Sequence, residues 1–162
     1  MSSSDMETRA LTSTGVLSRI VALLAAIPQS LPLLALRIAL AVPFFKSGMT
    51  KWSGFLQLSD GARYLFSEEF KLHLFGAEVP YPFPIAMATA SGIAEIVLPV
   101  LLVLGVGTRF AALGILCMTA IIQLTVPDGW ANFHLPWAAM ALTLVVFGGG
   151  RIALDALLFR KR

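Results

Sequence analysis

Residues 84–104, PIAMATASGIAEIVLPVLLVL, form one unbroken apolar run whose single charge is Glu95. A helix rises about 1.5 Å per residue and a bilayer core is about 30 Å thick, so about 20 such residues make a span. A carboxyl at that depth costs several kcal/mol, so it faces protein and marks a site that is either working or structural. A water-soluble fold has no use for this run.

The rest of the chain agrees. Of 162 residues, 57% are hydrophobic and only 13% charged, against about 25% charged in a soluble domain. Further apolar runs lie at 31–50, 110–126 and 133–147. The expectation is an all-α, polytopic membrane protein: a four-transmembrane-helix bundle in one compact unit. Residues 14–27 read as a helix capped by Ser13 or Thr14 and broken at Pro28. It is too short to span, so it is expected to lie at the interface. The chain then divides into a polar N-terminus with interfacial helix (1–30), a membrane domain (31–158) and a basic tail (159–162). The start lacks the strongly basic region and A-x-A-like site of a cleaved signal, so it is expected to be retained.

The net charge is +3, and its distribution reads as membrane topology. Arg9, Arg19, Arg109, Arg151, Arg160, Lys161 and Arg162 fall on one side of the four spans. Lys51, Arg63 and Lys71 fall on the other, beside Asp60, Glu68, Glu69 and Glu78. The bias predicts N-terminus and C-terminus both cytoplasmic. Basic residues do not interleave with aromatics, so no nucleic acid is expected as a partner. Cys117 is the sole cysteine, which excludes an intrachain disulfide, a CxxC redox pair and a thiolate zinc site. No metal site is expected.

Residues 51–83 make the one long loop. Ala62, Leu65, Phe66 and Phe70 share a helical stripe, with Ser59 or Asp60 as cap. This predicts an amphipathic helix on the outer membrane surface or over the mouth of the bundle, with His73 continuing its apolar face. VPYPFP (79–84) then turns the chain back into the membrane.

Three polar constellations follow. Counted from the cytoplasmic ends of their spans, Arg37 lies about 9 Å deep and Glu95 about 13–14 Å. An offset of about 5 Å on this count is within reach of an arginine. The pair reads either as a buried ion pair fixing helix register or as a carboxylate that titrates and handles a proton or binds a polar ligand. Pro99 adds an unmatched acceptor, the carbonyl of Glu95. The second constellation is Lys46, Gln123 and His134 near the outer boundary, with Trp52, Trp130 and Trp137. It reads either as an interfacial belt or as a polar pocket with aromatic walls for a quinone head group or a small redox molecule. Third, His73 and His134 form at most a weak two-histidine metal pattern.

Together, LRIALAVPFFKSGMTKW (36–52), AEIVLPVLLVLGVGTRFAALGILCMTAIIQ (94–123), Trp130–x₃–His134–x₂–Trp137 and GGGRIALDALL (148–158) resemble the DoxX family. The resemblance implies a bacterial inner-membrane protein of four helices. Members are linked to quinone-dependent oxidoreductase complexes, including thiosulfate oxidation and thiol defence. Arg37, Lys51 and Glu95 are the signature positions it carries over. The leading expectation is the membrane subunit of a redox system, binding quinone or a small sulfur compound. Glu95 and Arg37 would be its working pair, with Lys46, Lys51, Gln123, His134, Trp130 and Trp137 around the ligand. Electrons would come from a protein partner or directly from substrate. The alternatives are a non-catalytic anchor for a soluble partner or metal/peptide-handling system, or a transporter acting as a homodimer.

Overall fold

A computed structural model describes residues 15–158 of the chain. The expected caps Ser13 and Thr14, and the basic tail at 159–162, lie outside the described residues. Helix α1 (Gly15–Ala25) is apolar and exposed along its length. It ends before Pro28, whose ring removes a donor and restricts the residue before it.

The bundle follows. Helix α2 (Ser30–Thr50) enters first. The loop folds as strands β1 (Trp52–Gly54) and β2 (Gln57–Leu58), helix α3 (Asp60–Tyr64), and the hairpin of β3 (Lys71–Leu74) with β4 (Ala77–Pro80). Then come α4 (Pro84–Leu104) and α5 (Thr108–Thr125). A wide turn at Trp130–His134 leads into α6 (Leu135–Phe147), and a short α7 (Leu154–Leu158) closes the described chain. Four segments are long and apolar enough to cross a membrane: Ser30–Thr50, Pro84–Leu104, Thr108–Thr125 and Pro127–Phe147. The protein is an all-α, multi-pass membrane protein.

Helices α2 and α4 pair closely, as do α5 and α6. Gly48 permits the first contact. A Cβ there would stand 3.0 Å from the backbone carbonyl of Glu95. Pro99 lacks an amide, so it cannot cap that carbonyl within α4. Leu40, Leu102, Ala112, Ile115, Ala141 and Leu144 are fully buried between the four helices.

The loop differs from the amphipathic helix expected. Ser59 does cap α3, its Oγ accepting from the Ala62 amide at 3.2 Å. The helix stops at Tyr64 and widens into a turn over Leu65–Glu69, and Phe70 is extended. His73 therefore sits on a strand, not on a helical stripe. Phe75 and Gly76 both have positive φ in a two-residue connection, which suits a tight antiparallel hairpin. This turn ends any helical register. Leu58, Ala62 and Phe66 still pack on Ala88 of α4, so the burial of the stripe survives while its helix does not. Tyr81 and His73 tie the loop to the end of α5, through Thr125 Oγ1 at 2.6 Å and the Leu124 carbonyl at 3.1 Å.

Candidate functional site

Arg37 and Glu95 do not pair. The Gly48–Glu95 contact sets the register, and Arg37 lies three turns back along α2, about 16 Å away at 1.5 Å per residue. That puts its Cα level with the turn after α4 rather than with Glu95. The sequence count had aligned the ends of the two spans, whereas α2 is displaced toward the turn by more than a helical turn. Arg37 is 1% exposed. Its Nε donates to the Leu102 carbonyl at 2.6 Å, and its remaining nitrogens donate to the carbonyls of Val103, Gly149 (3.2 Å) and Ile152 (3.4 Å). Leu102 and Val103 are in the last turn of α4, where carbonyls lack helical partners and the dipole favours a cation. Arg37 is thus a helix cap supplied from another helix.

The same end holds a second cap of opposite sign. Asp155 accepts from the amides of Gly107 (2.7 Å) and Thr108 (2.8 Å) at the start of α5. Burial alone raises a carboxyl pKa, but these two amides and the nearby Arg37 charge outweigh it and hold Asp155 below its usual range. Gly105 sits between the two caps with φ +74°, and a Cβ on it would come within 2.7 Å of Arg37 and 2.6 Å of Ala153. The G-V-G-T-R turn and the G-G-G-R segment therefore belong to one interlocked unit.

Glu95 pairs with Lys51. The Lys51 Nζ donates to Glu95 Oε2 at 2.6 Å and to Ser47 Oγ at 3.1 Å. Ser91 Oγ donates to Glu95 Oε1 at 3.0 Å. Glu95 is 4% exposed. Ser47 and Lys51 are four residues apart at the end of α2, and Ser91 and Glu95 are four apart on α4. That spacing puts each couple on one helix face. The result is a polar quartet of net charge zero. Lys51 has three N–H groups and commits two, so one remains to donate.

The quartet forms the floor of a cavity of about 380 Å³, within the usual range for small-molecule sites. Its walls are apolar and aromatic: Phe44 and Pro43 from α2, Met118 and Ile122 from α5, Trp137 from α6, and Phe66, Phe70 and Tyr81 from the loop. Phe66 packs against Phe70 and Tyr81 with centroids 5.2 and 5.6 Å apart. Helices α4 and α5 are joined by the Gly105–Gly107 turn, and each lines the cavity from its far half, Met87 to Glu95 on α4 and Met118 to Thr125 on α5.

The residues expected at the outer end divide. Trp137 lines the cavity. His134 and Gln123 stand behind it: His134 Nδ1 meets Gln123 Oε1 at 2.6 Å, and the His134 ring lies 5.5 Å from that of Trp137. His134 is buried, and Gln123 donates onward to the Pro127 carbonyl. Lys46 lies outside the cluster. It does not line the cavity and borders an apolar groove between α2 and α4 with Pro99 and Val100. Trp130 is half-exposed on the turn before α6. His73 approaches Glu78 at 3.7 Å and is far in sequence and contacts from His134; no metal-holding cluster exists among the described residues. The sequence reading did not assign Ser47, Ser91 or Tyr81 to the site; the position of Phe66 and Phe70 over the mouth of the bundle was one of its two expectations for the loop stripe. The matching S-x₃-K and S-x₃-E spacings were the available signal.

Residues 32–128, most of the bundle, match the DoxX family model. The chain belongs to the DoxX family. An uncharacterized protein of Haemophilus influenzae is 29% identical over 143 residues, covering 82% of this chain and 86% of the relative. No solved structure matches. In this DoxX protein the matched region holds Arg37, Lys51, Glu95 and the Gly105–Arg109 turn, and it stops short of Trp130, His134 and Trp137.

Proposed function

We propose that this DoxX protein is the membrane subunit of a redox system in the bacterial inner membrane, and that it binds a quinone head group in the cavity above Lys51 and Glu95. The observation that carries the reading is a charge-neutral donor–acceptor pair at the floor of an aromatic-walled cavity. A flat ring with oxygens at its edge suits both parts. Phe44, Phe66, Phe70 and Trp137 supply aromatic walls, and the quartet offers one donor and one acceptor. A small sulfur oxyanion fits less well, because Glu95 cancels the charge of Lys51 and the walls give no further cation. The geometry therefore favours quinone over the sulfur compound.

A bound quinone supplies two-electron, two-proton chemistry. The chain's own residues would do three things. Lys51 would donate its remaining N–H to a ring oxygen and orient it. Glu95, held by Ser91 and Lys51, would hold a proton beside that oxygen and relay it. The apolar walls would exclude water from the ring. Cys117 is a lone cysteine, so no intrachain dithiol can supply electrons; a protein partner or the reduced substrate does. The lysine and arginine bias supports cytoplasmic termini, with the loop on the periplasmic side.

The test is purification in mild detergent, with mass spectrometry and an absorbance spectrum of what co-purifies. We expect bound quinone in the wild type and its loss in Glu95→Gln and Lys51→Met, both still folded. Quinone retained equally in both variants, or a wild type that neither carries nor takes up quinone, removes the reading.

A further inference from the structure

We infer that the Lys51–Glu95 centre is a blind well: it exchanges water, protons and ligand with the loop face of the membrane and not with the face that carries Arg37. The well is bounded on one side only. Its lining reaches no deeper than Pro43, Glu95 and Met118. Beyond them the four helices close on one another. Leu40, Leu102, Ile115 and Leu144 have no exposure at all, and Ala112 and Ala141 fill the space between them. The Thr108 hydroxyl, buried at the start of α5, has no hydrogen-bond partner, but the polar groups between it and the well are committed. Thr119 bonds back to the Ile115 carbonyl, and the Arg37 guanidinium is divided among four carbonyls. A proton or a hydrated ligand finds no stepping stone through this layer.

The layer also resists opening. Parting α4 from the segment after α6 would break the Arg37 bonds to Gly149 and Ile152 and the Asp155 bonds to Gly107 and Thr108 together. Each would leave a buried polar group without a partner. Alternating access needs two ends that open in turn, and this end is locked by charged caps from two directions. On the loop side the situation is reversed. Lys51, which lines the cavity at the loop-side end of α2, keeps partial exposure, and Ser47, one turn before it, lines the cavity and is exposed. The roof over that opening is fastened to α5 by the Tyr81 and His73 hydrogen bonds alone among the side chains described.

The consequence for coupling rests on the quinone reading: protons taken up or released there would come from, or go to, the loop face, and the chain would carry nothing across the membrane. One-sidedness itself needs no quinone and is tested without it. In a Cys117→Ala background, Ser91→Cys is placed in sealed vesicles of each orientation and exposed to a charged, membrane-impermeant thiol reagent. Glu78→Cys reports the loop face and Arg151→Cys the opposite face. We expect Ser91→Cys to label in the vesicles where Glu78→Cys labels and to stay unlabelled where only Arg151→Cys does. Ser47→Cys, exposed on α2, repeats the test should Ser91→Cys fail to fold. Labelling from the Arg151 face, from both faces or from neither overturns the inference. Absence of quinone with one-sided labelling would remove the redox reading and leave the well standing.

Discussion

The two halves of the bundle each bury an ionisable residue near the α2–α4 contact, and they treat it in opposite ways. At one end Arg37 is held by four fixed carbonyls and packed against Gly105, with no cavity beside it. In the other half Glu95 meets a single cation on a flexible stem, beside an open volume. The guanidinium commits four of its five N–H groups to carbonyls and lines no cavity, so a ligand has no space in which to meet it. A carboxylate–ammonium pair facing a cavity can exchange one partner for another. Burial alone therefore does not mark a working site; burial beside unfilled space with uncommitted valence does.

The largest effect should come from Arg37. Replacing it with leucine strands the end carbonyls of α4 together with those of Gly149 and Ile152, at a cost on the order of 3–5 kcal/mol. Arg37→Lys should recover only part of this, since an ammonium lacks the planar fork that reaches carbonyls on separate segments. Thermal unfolding in detergent reads both. An Arg37→Leu protein as stable as wild type, but inactive, would reverse the contrast and return Arg37 to the working site.

At the other centre, Lys51→Met should cost about 2–3 kcal/mol by leaving Glu95 buried without its cation. Lys51→Met combined with Glu95→Gln should restore stability to within about 1 kcal/mol of wild type, because no charge is then stranded. Ligand retention should be lost in the single and the double variants alike. The separation of stability from binding is what the comparison predicts here and not at Arg37. If stability and binding fall and recover together, the pair is a structural rivet after all.

Much of this architecture was legible in the sequence. The run at 84–104 became α4 with those bounds, and the even number of spans follows from hydropathy alone. The loop was less legible, because the stripe of Ala62, Phe66 and Phe70 encodes burial without saying that the helix must stop at Tyr64. The site was half legible. Glu95 and Arg37 stand out by charge, but their pairing depends on axial offset, and one small residue decides that. Gly48 permits backbone contact with Glu95 and thereby shifts α2. No periodicity encodes such an offset. Lys51 looked like a loop residue because it follows the last residue of α2, and only the displaced register brings it level with Glu95.

That dependence predicts a third effect. Gly48→Ala places a methyl 3.0 Å from the Glu95 backbone, and opening the contact should cost about 1–3 kcal/mol. It should also lengthen the Lys51–Glu95 contact and weaken ligand retention, while Arg37's capping bonds, three turns away, persist. Cross-linking or hydrogen exchange at the Gly105–Thr108 turn should stay near wild type. Loosening of that turn by Gly48→Ala would show that the halves are coupled rather than independent.

The smallest effect belongs to Asp155 and is read by pH. Its carboxylate is held below the usual range in the folded protein, so its stabilisation is fully present above the unfolded value of about 3.9. It is lost as pH falls through the folded value. Between neutral pH and about pH 5 the contribution should be constant. Asp155→Asn keeps one oxygen for the amides of Gly107 and Thr108 and loses the charge that complements the start of α5, a cost of about 1 kcal/mol. The wild type should therefore unfold at higher temperature than the variant at neutral pH, and the two curves should converge below about pH 4. The ligand in the well should not notice, because Asp155 acts at the locked end. A variant that matches the wild type at every pH would mean that the cap contributes nothing, leaving Arg37 alone to hold that end closed.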